Sequence, residues 1–158
     1  MRLITLNGVK LFVHLNGMVL RYSDKEYPNL IKGWSEVKGY INNKGYLVIR
    51  LNGKDYKKHR IVGYAFLGLD INNPKQQIDH IDRNKQNNNM NNLRIVSNQE
   101  NMFNKNFKGY RKYGKKYQSR IGINNNRIYL GTFNTEEEAR NAYLEAKEKY
   151  HIIPEAQD

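Results

Sequence analysis

With 158 residues and a formal net charge of +12, the chain has room for one or two compact domains, and its balance of charge calls for a polyanionic partner. A mean hydropathy of −0.87 argues against one large core. The sequence has no apolar run long enough to span a bilayer and no basic amphipathic helix for a membrane surface. The absence of cysteine excludes disulfides and a thiolate zinc site, and fits a cytoplasmic chain.

In chain order, residues 1–57 alternate short β-like runs with turn signals. The opening MRLITLNGVKLFVHLNG has an interrupted apolar stretch and reads as a strand rather than a secretion signal. KLFVHL (10–15), Asn16-Gly17 and MVLRY (18–22) predict a two-residue hairpin; YLVIRL (46–51), Asn52-Gly53 and KDYKK (54–58) predict a second. Trp34, Val37, Tyr40 and Ile41 are expected to supply apolar packing between them. HRIVGYAFL (59–67) predicts a short helix with Ile61, Val62, Ala65 and Phe66 on one side. His14 and His59 read as packed or solvent-facing histidines, and Lys57, Lys58 and Arg60 as a basic face open to phosphates.

The densest chemistry lies in IDHIDRNKQNNNMNNLRIVSNQEN (78–101). It places Asp79 and His80 side by side, Asn92 twelve positions after the histidine and Asn101 nine further on. Leu93–Val96 is an apolar, β-branched run, and Ser97 with Glu100 forms a capping-box pattern. The spacing predicts strand, turn, strand, helix, with an imidazole, a carboxylate and an amide oxygen able to converge on a phosphodiester.

This segment resembles the HNH nuclease motif, a ββα-metal fold common in phage and intron-encoded homing endonucleases. The resemblance implies that His80 is the general base acting on water and that Asn92 holds the connecting loop. It implies also that Asp79 and Asn101 bind one divalent ion; for oxygen ligands Mg²⁺ is the default, with Mn²⁺ as substitute, and no zinc or small-molecule cofactor is expected. Relatives often read HIDGN where this chain has Arg83, so the turn is expected to differ, with Asn84 taking the left-handed position. GYLVIRLNGKDYKKHRIVGYAFLG resembles the segment that precedes the HNH core in phage homing endonucleases.

From 101 to 135 there is no Asp or Glu, while lysines, arginines and tyrosines interleave. YQSRIGI (117–123) and RIYLGTF (127–133) alternate like strands about a turn at 124–126. Alternation sets Gln118 and Arg120 on one face with Tyr117, Ser119 and Ile121 on the other, and pairs Arg127 with Tyr129. Thr135 and Glu138 cap a helix whose stripe runs Ala139, Ala142, Tyr143, Ala146, Tyr150.

Residues 108–151 resemble an AP2/ERF DNA-binding domain, with GYR for that family's GVR, RIYLGTF for RVWLGTF and EEEARNAY for EEAARAY. The resemblance implies a three-stranded sheet lying in the major groove, with Lys108, Arg111, Lys116, Arg120, Arg127 and Tyr129 as contacts. Tyr117 and Tyr129 stand where plant members have tryptophan, so base preferences do not transfer.

The expected architecture is α+β: a β-rich region at 1–57, an HNH region at 58–106 and an AP2-like domain at 107–158. The expected function is a site-specific, metal-dependent HNH homing endonuclease, monomeric and nicking duplex DNA, in a bacterial or phage-infected cell. The alternatives are a non-catalytic, sequence-specific DNA-binding regulator and an RNA-binding or RNA-cutting protein.

Overall fold

Asn-Gly pairs set the first strands. The computed structural model describes residues 1–25 and 32–152, so the last six residues of the expected 107–158 domain lie outside it. The chain divides into two compact units, Met1–Val96 and Ser97–Asp158. In the first, β1 (Arg2–Leu6) and β2 (Val9–Val13) are joined by Asn7-Gly8 at φ 50° and 74°, the two-residue turn whose twist suits a hairpin.

The hairpin expected at Asn16-Gly17 is instead a longer loop, with β2 pairing to β3 (Val19–Ser23) from Val13↔Val19. Asn16 Oδ1 accepts the Met18 N–H at 3.0 Å, an Asx turn, and only Gly17 of the pair has positive φ. A side chain bonded two residues on thus displaced the tight turn. β4 (Gly33–Glu36) completes a four-stranded meander, β1-β2-β3-β4. The second predicted hairpin forms as read: β6 (Leu47–Leu51) and β7 (Lys54–Lys57) flank Asn52-Gly53, with β5 (Tyr40–Ile41) on the other edge of β6.

Inward residues of β2 (Val9, Leu11, Val13) and β6 (Ile49, Leu51) meet Ile61, Val62 and Ala65 of α1 (Lys58–Phe66) in one core. Of the four linking residues expected to pack, Val37 does so against that core. Tyr40 and Ile41 are exposed, because β5 is a two-residue edge strand. Trp34, also exposed in part, packs on Phe12 and Tyr22 at ring separations of 4.2 and 5.3 Å.

A two-stranded ribbon, β8 (Gln77–His80) against β9 (Leu93–Val96), delivers Ile78 and Leu93 to the same core. Gly63 permits the fit: a Cβ there would stand 2.6 Å from Ile78 Cδ1, so α1 lies against β8 because residue 63 has no side chain.

The second unit opens with α2 (Asn98–Phe103), started by the Ser97/Glu100 capping box. β10 (Tyr110–Tyr113), β11 (Lys116–Ile123) and β12 (Asn126–Phe133) form an antiparallel sheet, and α3 (Glu136–Tyr150), capped by Thr135, crosses it. α3 buries Ala139, Tyr143 and Ala146, the latter two packing with Ile121; Tyr150, expected on that stripe, is exposed.

The division after Val96 falls inside the region 58–106 that was expected to act as one module. α2 has partners of its own in the second unit: Phe103 stacks on His151 at 4.0 Å, and Gln99 donates to Asn124 at 2.8 Å. Among the described residues no helix is long and apolar enough to cross a membrane.

Candidate functional site

Antiparallel pairing of β8 with β9 sets Asp79 opposite Arg94 and His80 opposite Leu93. Both Arg94 Nε and Nη2 donate to Asp79 Oδ2, at 3.1 and 2.9 Å, and Asp79 is buried. Charge-assisted donors of this kind offset the desolvation of a buried carboxylate. His80 is 4% exposed and lies at the end of its strand. Its Nε2 stands 3.5 Å from Oδ1 of buried Asn88, whose amide nitrogen donates to the Gln86 carbonyl at 2.9 Å. That second bond fixes the amide's orientation and presents its oxygen to the imidazole. Burial pulls the His80 pKa below its ordinary value, partly opposed by the Asn88 contact and by Asp82 and Asp79, so the neutral ring is favoured near pH 7.

His59, at the start of α1, forms one wall. Its ring meets His80 edge-on at 4.9 Å and lies 5.0 Å from Tyr46; among the described residues its Nδ1 has no hydrogen-bond partner. Burial, then neighbouring His80, Lys57 and Arg60, push its pKa down to about 3.

The loop between the ribbon strands is cross-bonded. Asn92 donates to Asp82 Oδ1 and to the Asn87 carbonyl, each at 2.9 Å, and accepts the Asp82 N–H at 3.0 Å. Asp82 also accepts from Asn87 Nδ2 and the Asn84 N–H, both at 2.7 Å. Arg83 itself takes positive φ, 64°, so the left-handed residue is not Asn84 as expected. The Arg83 N–H donates to the His80 carbonyl while Asp82 holds Asn84, which confines the bend to position 83.

Of the three basic residues expected to face phosphates, the structure separates one from two. Arg60 donates to the carbonyls of Gln76, Ile71 and Asn73 and so pins the loop that feeds β8. Lys58 is buried. Lys57 is exposed.

The oxygen donors expected for a metal are Asp79 and Asn101. Asp79 carries the ion pair with Arg94; Asn101 sits on α2 in the second unit, its N–H bonded to the Ser97 carbonyl. Each is an oxygen donor of the kind a hard cation such as Mg²⁺ takes.

In the second unit, cross-strand register places Arg111 opposite Gln118, Tyr113 opposite Lys116, Arg120 opposite Tyr129, and Arg127 opposite Gly122. Directly paired residues share a face, so Arg111, Lys116, Arg120, Arg127 and Tyr129 stand together on the side away from buried Ser119 and Ile121. Gln118 Oε1 accepts from Arg111 at 3.1 Å and from Arg120 at 3.3 Å, orienting both forks. Lys108 precedes β10, its carbonyl accepting from Arg140 at 2.8 Å. Asn88, Arg94, His59 and Tyr46 were not anticipated as site residues. Register alone could have found Arg94; nothing distinguishes Asn88 from its asparagine neighbours in sequence.

Residues 56–103, less than a third of the chain, match the family model described as HNH endonuclease. A solved structure titled DNA binding and cleavage by the HNH homing endonuclease I-HmuI is similar at 27% identity. The alignment covers 66% of this chain and 57% of that one, with a TM-score of 0.45, so the chain spans little more than half the length of that relative. No curated protein matches.

Proposed function

We propose that the protein is a DNA endonuclease of the HNH homing type, with His80 as general base and the outer face of β10–β12 as its AP2-like duplex-binding surface. The observation that carries the reading is the ribbon of residues 77–96 inside the HNH-matching stretch, where a buried, neutral-leaning His80 adjoins an ion-paired Asp79.

A proton held on Nε2 toward Asn88 would make Nδ1 the basic nitrogen of the neutral ring, the tautomer that a general base acting on water requires. Asn88 and the wall of His59 hold the ring against rotation, and the Asn92 network keeps the loop, and with it the end of β8, in register. By the family's motif Asp79 and Asn101 would be the protein ligands of a divalent ion, Mg²⁺ or Mn²⁺, which when bound would supply Lewis-acid stabilisation of the phosphate and the leaving 3′ oxygen. Arg111, Arg120 and Arg127 give affinity through phosphates and discrimination through base edges, with Lys108, Lys116 and Tyr129 beside them. One active site per monomer favours nicking.

One observation favours a second reading, a non-catalytic DNA-binding regulator: the Asp79 carboxylate is already engaged by Arg94. Incubating supercoiled DNA at low salt with Mg²⁺ or Mn²⁺ separates the two. Metal-dependent nicks that vanish in His80→Ala and in EDTA establish the nuclease. Tight, salt-sensitive binding without nicks from either metal favours the regulator, and nicking by His80→Ala at the wild-type rate removes His80 as base.

A further inference from the structure

Tyr46, just ahead of β6, is half-buried and touches the candidate site with its ring, 5.0 Å from His59 and 6.2 Å from His80. Two ammonium groups stand over the same ring: Lys57 Nζ at 4.7 Å and Lys85 Nζ at 4.9 Å from its centroid. They arrive from different parts of the chain, one at the end of β7 and one in the loop after β8. Lys85 is further fixed by donating to the Lys44 carbonyl at 2.8 Å, its stem lying over Gly45.

Among the described residues neither ammonium has a carboxylate within ion-pair distance, whereas Arg50 a few residues away is paired with Asp55 at 2.7 Å. Asp82 is the acid of the adjoining loop, and its oxygens accept from Asn84, Asn87 and Asn92. Desolvation of its ammonium, and after it the neighbouring cations Lys44, Arg60 and Lys85, draw the Lys57 pKa below the ordinary lysine value.

Gathering like charges opposes folding unless an anion offsets it. Each ammonium keeps N–H donors directed away from the ring, and a ring face holds a cation without neutralising it. From Tyr46, Lys57 and Lys85 we infer that the first unit carries an anion subsite beside His80 that takes a backbone phosphodiester of the strand addressed by that histidine. The inference rests on the reading of His80 as a base acting on DNA. It adds the group that fixes the strand there, independently of the sheet in the second unit.

The test uses the full-length chain, as wild type, Lys57→Gln, Lys85→Gln, the double variant, and Lys54→Gln as a control. Lys54 is an exposed β7 lysine that also covers a tyrosine, Tyr56, but lies outside the cluster. Inorganic phosphate is titrated at constant ionic strength while the Tyr46 ring and lysine Nζ resonances are followed by NMR, and duplex affinity is measured against salt. We expect phosphate to shift Tyr46 in wild type and in Lys54→Gln but not in the double variant. Each subsite substitution should also lower the slope of log affinity against log salt by about one.

A folded double variant with wild-type phosphate shifts and salt slope overturns the subsite. Its failure is distinguishable from failure of the nuclease reading. If wild type shows the phosphate response and the lysine-dependent slope yet makes no nick, the subsite stands and the base does not. If it nicks while the double variant binds as wild type does, the subsite falls alone.

Discussion

The ribbon β8–β9 and the sheet β10–β12 both carry charged residues on antiparallel strands, but they treat them in opposite ways. On the ribbon, Asp79, His80 and, nearby, His59 and Asn88 are buried, and Asp79 and His80 each have an identifiable partner. On the sheet, Arg111, Lys116, Arg120, Arg127 and Tyr129 are exposed and share one face, with a single glutamine orienting two of them. Burial makes a group's protonation and orientation depend on its neighbours, which is what proton transfer needs. Exposure leaves charge free to meet a polyanion at little desolvation cost. On the proposed reading, the first region is the one for chemistry and the second the one for recognition.

The comparison can be broken by substitutions that cross the boundary. The largest expected effect is on cutting: His80→Ala should lower the nicking rate by about a hundred- to ten-thousand-fold while duplex affinity stays near wild type, measured by single-turnover cleavage and by titration. Next comes stability in the second unit. Gly109 has φ +78°, and a Cβ there would lie 1.9 Å from Tyr143 Cγ, so Gly109→Ala should destabilise by about 3 kcal/mol or more in urea unfolding.

Arg94→Met removes the partner of a buried carboxylate and should cost about 3 kcal/mol, whereas Arg127→Met on the exposed face should change stability by less than about 0.5 kcal/mol. Equal costs would erase the contrast between the regions. Arg120→Ala and Arg127→Ala should each weaken duplex binding about tenfold with little change in the urea midpoint.

A further effect is a pH dependence. The folded pKa of His59 is lowered to about 3 from 6.5, so below pH 6.5 the unfolded chain binds a proton that the folded chain does not. Stability is then fully present above pH 6.5 and is lost as pH falls toward 3, by up to about 1.4 kcal/mol per pH unit. His80, shifted the same way, adds to the slope. Urea midpoints at pH 7.5 and 5, for wild type and His59→Phe, check this; an unchanged slope in the variant would mean His59 is not the titrating group.

The readings that needed only neighbours in sequence agree with the structure: the Asn52-Gly53 hairpin, α1, the β8–β9 ribbon, and the capping boxes at Ser97 and Thr135. So does the alternation of β11, because a strand with one buried face writes its register into the sequence. The misreadings lie where the same local signal met different surroundings. Asn16-Gly17 and Asn7-Gly8 are the same dipeptide, yet the second makes the tight turn while Asn16 accepts the Met18 N–H in an Asx turn. Tyr40, Ile41 and Tyr150 have apolar side chains but sit at an edge or an end.

Sequence alone determined the strand–turn–strand–helix order around His80, the two helix starts and the faces of the C-terminal strands, since each depends on residues within a few positions of one another. Tertiary structure alone decided that Asn88, from a run of similar asparagines, faces His80. It also decided that Lys57 and Lys85 meet on Tyr46 while Arg60 and Lys58 turn inward. Those contacts depend on how strands and loops pack, and their energies come from burial and charge in three dimensions, which no local pattern encodes.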